Sequence, residues 1–127
     1  MKGARRACLC GVGIDVVDLD RASRFVSKNG EGLRRFFLKR EYACFRASRS
    51  PVRAFALFFA AKEAVSKALG VPVIHPYQFR KFPVDYSRGK LRGRIPDIAG
   101  IRGRVARLIL SPFAIPGRVG VMAFAYR

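Results

Sequence analysis

The chain has 127 residues, half of them hydrophobic and 12% aromatic, with 26 Lys and Arg against 8 Asp and Glu and a formal net charge of +18. That apolar content supports one buried core and excludes disorder, while the length leaves no room for a second core. The charge predicts attraction to a polyanion, whether nucleic acid, anionic membrane, phosphate-rich cofactor or acidic protein, without choosing among them. Cys8, Cys10 and Cys44 form no C-x-x-C pair and the sole histidine is His75, so a zinc site is not expected. The odd cysteine count, with no signal peptide and no apolar run of about 18 residues, points to reduced thiols in the cytoplasm.

Residues 1–7 read as a short, loose basic tail. Residues 8–17 alternate as a strand, with Cys8, Cys10, Val12, Ile14 and Val16 on one face and Leu9, Gly11, Gly13, Asp15 and Val17 on the other. Asp15 therefore stands among glycines, whose missing side chains are expected to leave space for a ligand or metal beside the carboxylate. An unpaired acid in such an apolar run would cost several kcal/mol of desolvation, so it needs a partner.

Asp18, Leu19, Asp20 and Arg21 open a helix running to Asn29-Gly30, its acids placed where the helix dipole favours them. Arg21 and Arg24 project from it. Residues 31–48 form a broken amphipathic region, with Leu33, Phe36, Phe37, Leu38, Tyr42 and Phe45 among basic residues; it covers the core, and lying on a membrane is the lesser option. Ser50-Pro51 starts a long helix that ends at Gly70, with Pro72 beyond it. Residues 71–77 are a Pro-punctuated loop. Residues 78–85 and 90–95 read as a hairpin turned at 87–90, residues 99–104 as a short helix or loop, and residues 105–110 with 118–126 as the last strand pair. Lys90, Arg92 and Arg94 share one side of a strand and form a positive stripe.

Within the long helix, Phe59-Ala60-Ala61-Lys62-Glu63-Ala64-Val65-Ser66-Lys67-Ala68-Leu69-Gly70 turns an apolar run abruptly into charge. Glu63 and Lys67 are four apart in the favourable order for a helix ion pair, an explanation sufficient for that pair taken alone. Glu63 also lies where the core-facing stripe ends, the position for a carboxylate at a cleft edge.

This segment and Gly11-Val12-Gly13-Ile14-Asp15-Val16-Val17-Asp18-Leu19-Asp20-Arg21 together resemble the holo-acyl-carrier-protein synthase family of small phosphopantetheinyl transferases. The resemblance implies an α+β, phosphopantetheinyl-transferase-like fold over residues 1–127. It also implies transfer of 4′-phosphopantetheine from coenzyme A to a serine of an apo acyl carrier protein, leaving adenosine 3′,5′-bisphosphate, in fatty acid or related lipid biosynthesis. Carried over residue by residue, Asp15 and Glu63 become ligands of Mg²⁺, a hard cation suited to a few carboxylates with open positions. Lys67 reaches coenzyme A phosphates, Lys62 shapes the site or supports the metal ligand, and Arg21 with Arg24 docks the acidic carrier. Proton removal falls to Glu63 or a metal-bound water, and three copies form a trimer around the coenzyme A clefts.

The chain departs from the family's pattern at Phe58, where an Arg is usual, and at Pro112, which replaces a His after Ser111. Ser111 remains as a coenzyme A contact. A non-catalytic paralogue that binds carrier or coenzyme A is the alternative these departures motivate. A nucleic-acid-binding module is supported by charge alone, with no recognisable module pattern.

Overall fold

The computed structural model describes residues 6–127. Of the basic tail expected over residues 1–7, Met1–Arg5 lie outside the described residues, and Arg6 and Ala7 have no regular structure. Strand β1 (Leu9–Asp18) is followed by α1 (Leu19–Asn29), a 3₁₀ turn (Gly30–Arg35), α2 (Lys39–Arg46) and the long helix α3 (Pro51–Leu69). A second 3₁₀ segment (Pro76–Lys81) leads into β2 (Val84–Ser87) and β3 (Lys90–Gly93), and the last elements are β4 (Arg107–Ile115) and β5 (Arg118–Tyr126). The α+β expectation holds.

β1, β5 and β4 form an antiparallel sheet in that order, so β5 is central. Val12 faces Phe124 and Ile14 faces Met122 on the outward side, while Gly13 faces Ala123 and Asp15 faces Val121 on the side covered by α3. The two sides of α3 are made of different residues. Ala60, Ala61, Ala64 and Ala68 are buried, and the glycines of β1 meet the backbone of this alanine side. Phe55 and Phe58 join Phe37 and Phe45 in a layer of rings whose centroids lie 5.6 to 6.4 Å apart. Such ring pairs add roughly 0.5–1.5 kcal/mol each beyond area burial.

The glycines of β1 do not leave the space expected of them. A Cβ on Gly13 would stand 2.0 Å from the Ala64 carbonyl oxygen, and one on Gly11 1.9 Å from that of Ala68. The helix backbone fills the gap. The glycines thus seat α3 directly on the strand and make no pocket of their own.

α1 is capped by Asp18, whose carboxylate accepts from the Arg21 N–H at 3.0 Å. α3 ends at Gly70 in the left-handed region (φ 68°), where the Val71 N–H reaches the Ser66 carbonyl at 2.9 Å. Arg88 (φ 53°) and Gly89 (φ 75°) turn the β2–β3 hairpin, the pair of positive φ values that matches strand twist.

Two differences from expectation are larger than a shift of a residue or two. Residues 76–81 are a 3₁₀ segment where a strand from residue 78 was expected; the Gln78 side chain caps its start by accepting from the His75 N–H at 2.8 Å. Strand β4 runs on to Ile115, through Pro112, where the pattern placed its end at Leu110. β4 is a sheet edge, where proline's missing N–H breaks no ladder.

Candidate active site

With α3 seated on β1, side chains one helical turn apart are delivered beside Asp15. Lys67 donates from Nζ to Asp15 Oδ1 at 3.1 Å and to the Ile14 carbonyl at 2.9 Å. Glu63, one turn earlier on α3, lines the same cleft of about 820 Å³ as Asp15. Both acids hold their protons more tightly than usual. For Asp15 the main cause is burial, offset in part by the Lys67 hydrogen bond and charge. For Glu63 it is burial and then repulsion from Asp15, with Lys67 opposing. Two neighbouring carboxylates strained in this way are a site in want of positive charge.

The rest of the cleft divides by chemistry. Phe25, Phe55 and Phe59 make an aromatic wall, with Phe25 stacked on Phe55 at 5.7 Å and an interplanar angle of 15°. Arg21 and Arg24 from α1 stand at its rim, as does Arg118 from the start of β5. Asp15, Glu63, Lys67, Arg21 and Arg24 are therefore brought to one region.

Lys62 is not. Its side chain is 0% exposed, and its ammonium donates to Glu41 Oε1 and Oε2 at 2.9 and 2.8 Å and to the carbonyls of Phe79 and Phe82, both at 2.9 Å. Glu41 also accepts the N–H groups of Leu38 at 2.7 Å and Val84 at 2.8 Å. The expectation that Lys62 shapes the cleft is corrected: it points away from the cleft, tying α2 and the entry to β2 onto the helix. Burial lowers its proton affinity, and the Glu41 charge offsets this.

Ser111 is not in the cleft either. It pairs with Met122 on the outward face of the sheet, opposite to the face that carries Asp15. Phe58, at the departing position, is 1% exposed and packs its ring near Phe37 and Tyr86, so this side chain takes nothing from the cleft. Pro112 lines a second, smaller cleft of about 530 Å³ between β3 and β4, together with Lys90, Arg92 and Arg107.

The reading of the sequence missed Glu41, Arg118 and the aromatic wall. Glu41 carried a usable signal, as the single acid between Glu31 and Glu63 in a strongly basic stretch. Arg118 follows a Pro-Gly turn and carried none.

The donor set fits a hard divalent cation that keeps open positions: two carboxylates from different elements, with no group of three or more potential ligands among the described residues. No helix among the described residues is long and apolar enough to cross a membrane.

Residues 11–107 match the family described as the 4′-phosphopantetheinyl transferase superfamily. A holo-[acyl-carrier-protein] synthase of Cronobacter sakazakii is 35% identical over 88 residues, covering 66% of this chain and 70% of that protein. The crystal structure of the Neisseria meningitidis holo-[acyl-carrier-protein] synthase superposes with a TM-score of 0.78 at 26% identity, covering 94% of this chain and 100% of that one. The Helicobacter pylori holo-[acyl-carrier-protein] synthase, solved in complex with coenzyme A, shares the fold with a TM-score of 0.75 at 23% identity, covering 90% and 98% of the two chains. The chain belongs to the holo-acyl-carrier-protein synthase family of the 4′-phosphopantetheinyl transferase superfamily.

Proposed function

We propose that this chain transfers the 4′-phosphopantetheine group from coenzyme A to a serine of an apo acyl carrier protein, leaving adenosine 3′,5′-bisphosphate, in fatty acid or related lipid biosynthesis. The observation that carries the reading is the convergence of Asp15, Glu63 and Lys67, from β1 and α3, on one cleft with an aromatic wall and a basic rim. In the reaction the serine oxygen bonds to the phosphorus that bears the pantetheine, and the bond from that phosphorus to the bridging oxygen breaks. The bridging oxygen and its electron pair leave with the nucleotide.

Asp15 and Glu63 would hold Mg²⁺, which when bound supplies charge neutralisation for the pyrophosphate. Lys67 lies with its ammonium at Asp15 and more than half exposed, within reach of a phosphate oxygen entering the cleft. Glu63, which lines the cleft with Asp15, is the carboxylate that would take the serine proton. Phe25, Phe55 and Phe59 offer apolar surface to the pantetheine arm and exclude water beside the acids. Arg21 and Arg24 meet the acidic carrier, whose encounter the overall positive charge hastens.

The whole chain acts as one phosphopantetheinyl transferase domain in the cytoplasm, and as a trimer. Val12 and Ile14, each 49% exposed, and Val16, 42% exposed, form with Ile109 an apolar outward sheet face of the kind that association covers. Ser111 lies on that same face, so its part toward coenzyme A belongs to a cleft shared with a neighbouring copy.

Mass spectrometry of a panel of apo acyl carrier proteins incubated with the protein, coenzyme A and Mg²⁺ tests the reading. A phosphopantetheine mass gain, lost in Asp15→Ala and Glu63→Ala, is expected; no gain on any carrier overturns it.

A further inference from the structure

Arg118 has no part in the reading above, yet it stands on the same rim as Arg21 and Arg24. The strand register places it directly opposite Asp18, the cap of α1, and the Leu19 N–H bonds the Gly117 carbonyl at 2.9 Å, fastening the β4–β5 turn to the start of α1. Arg118 is exposed, and none of Arg21, Arg24 and Arg118 makes an ion pair among the described residues. The Asp18 carboxyl is held below its ordinary value chiefly by the Arg21 N–H, with the Arg118 and Arg24 charges adding to the effect. Its carboxylate is engaged in capping α1 and neutralises no guanidinium by contact.

We infer that Arg118 is a specificity-determining residue that binds a carboxylate on the acidic face of the acyl carrier protein, extending the docking surface of α1 onto the β4–β5 turn. The inference rests on the proposed transferase reading. Three unpaired guanidiniums on two separately built elements present charge over a breadth that suits a protein surface. Lys67, proposed above for the small-molecule phosphates, is bonded instead to Asp15, three residues before Asp18 on β1. Because the turn is bonded to α1, Arg118 keeps its place relative to Arg21 and Arg24, so the three are preorganised for a partner with matching acids.

The test uses the full chain with Arg118→Gln and Arg118→Glu, and the apo carrier protein modified fastest in the panel. The carrier concentration is varied at saturating coenzyme A, and coenzyme A at saturating carrier. The KM for carrier is expected to rise about threefold in Arg118→Gln and about tenfold in Arg118→Glu, with the KM for coenzyme A held within about twofold and the difference shrinking at high salt. A rise in the KM for coenzyme A with that for carrier unchanged would assign Arg118 to the nucleotide and overturn the inference, as would no change in either. Fluorescence anisotropy of labelled apo carrier separates this from the reading beneath it. If no carrier is modified at all, the transferase reading fails, while weaker carrier binding by Arg118→Glu still supports the contact and equal binding overturns it.

Discussion

Lys62 and Glu63 are neighbours on α3, and they live in opposite surroundings. Lys62 is enclosed, its ammonium bonded to Glu41 and two carbonyls, and Glu41 in turn satisfies two backbone N–H groups. Glu63 is half-buried beside another acid, with Lys67 as its one opposing charge and a cleft in front of it. The helix thus carries a finished polar cluster on one side and an unfinished one on the other. A charge that is dry and fully partnered holds a structure together, whereas one that is partly dry and short of partners is available for chemistry.

The largest effect is expected at Lys62. Lys62→Met leaves Glu41 as a buried, uncompensated charge and frees two carbonyls, and is expected to cost about 3–5 kcal/mol of unfolding free energy, read from urea denaturation. Retained stability would mean that the cluster is dispensable. Next is Gly13→Ala, whose methyl group must displace the α3 backbone at Ala64; about 3 kcal/mol is expected, with transfer activity falling because Glu63 moves away from Asp15.

At the cleft the sign reverses. Glu63→Gln removes a carboxylate that burial and Asp15 disfavour, so the melting temperature should stay level or rise while transfer falls about a hundredfold or more.

A pH titration sharpens the same contrast. Asp15 and Glu63 are both raised from their ordinary values of 3.8 and 4.5, so the native state keeps its protons to higher pH than the unfolded chain does. Between the ordinary and the raised values, rising pH therefore lowers stability; the cost is complete above the raised values and absent below the ordinary ones. Glu63→Gln should flatten that slope.

The smallest effect belongs to the partly exposed Asp85, which meets Arg94 at 2.8 Å and Arg40 at 3.6 Å; Asp85→Ala should cost less than about 1 kcal/mol.

Much of this was legible in the residues. The strand alternation that put Asp15 opposite Val16, and the Pro51 and Gly70 marks around α3, are local signals, and the structure follows them. What Gly11 and Gly13 do was not legible. A missing Cβ looks the same in sequence whether a ligand or a helix backbone fills the space, and only the packing of α3 decides between them. The fate of Lys62 depended on Glu41, Phe79 and Phe82, groups distant in sequence that converge only after α2 and the 3₁₀ segment have docked. Strand formation from residue 78 lost to the same cluster, which draws two carbonyls of that segment inward. Arg118 shows the same limit, since its approach to α1 follows from sheet register and one backbone bond.

On the proposed function, the charge at Glu63 serves the reaction and not the fold. Its most direct test is the rate of phosphopantetheine transfer to an apo carrier protein by folded Glu63→Gln, its unfolding curve recorded on the same preparation. Transfer is expected to be lost with the unfolding midpoint level or raised. Transfer at the parent rate, or transfer lost only together with the fold, would contradict it.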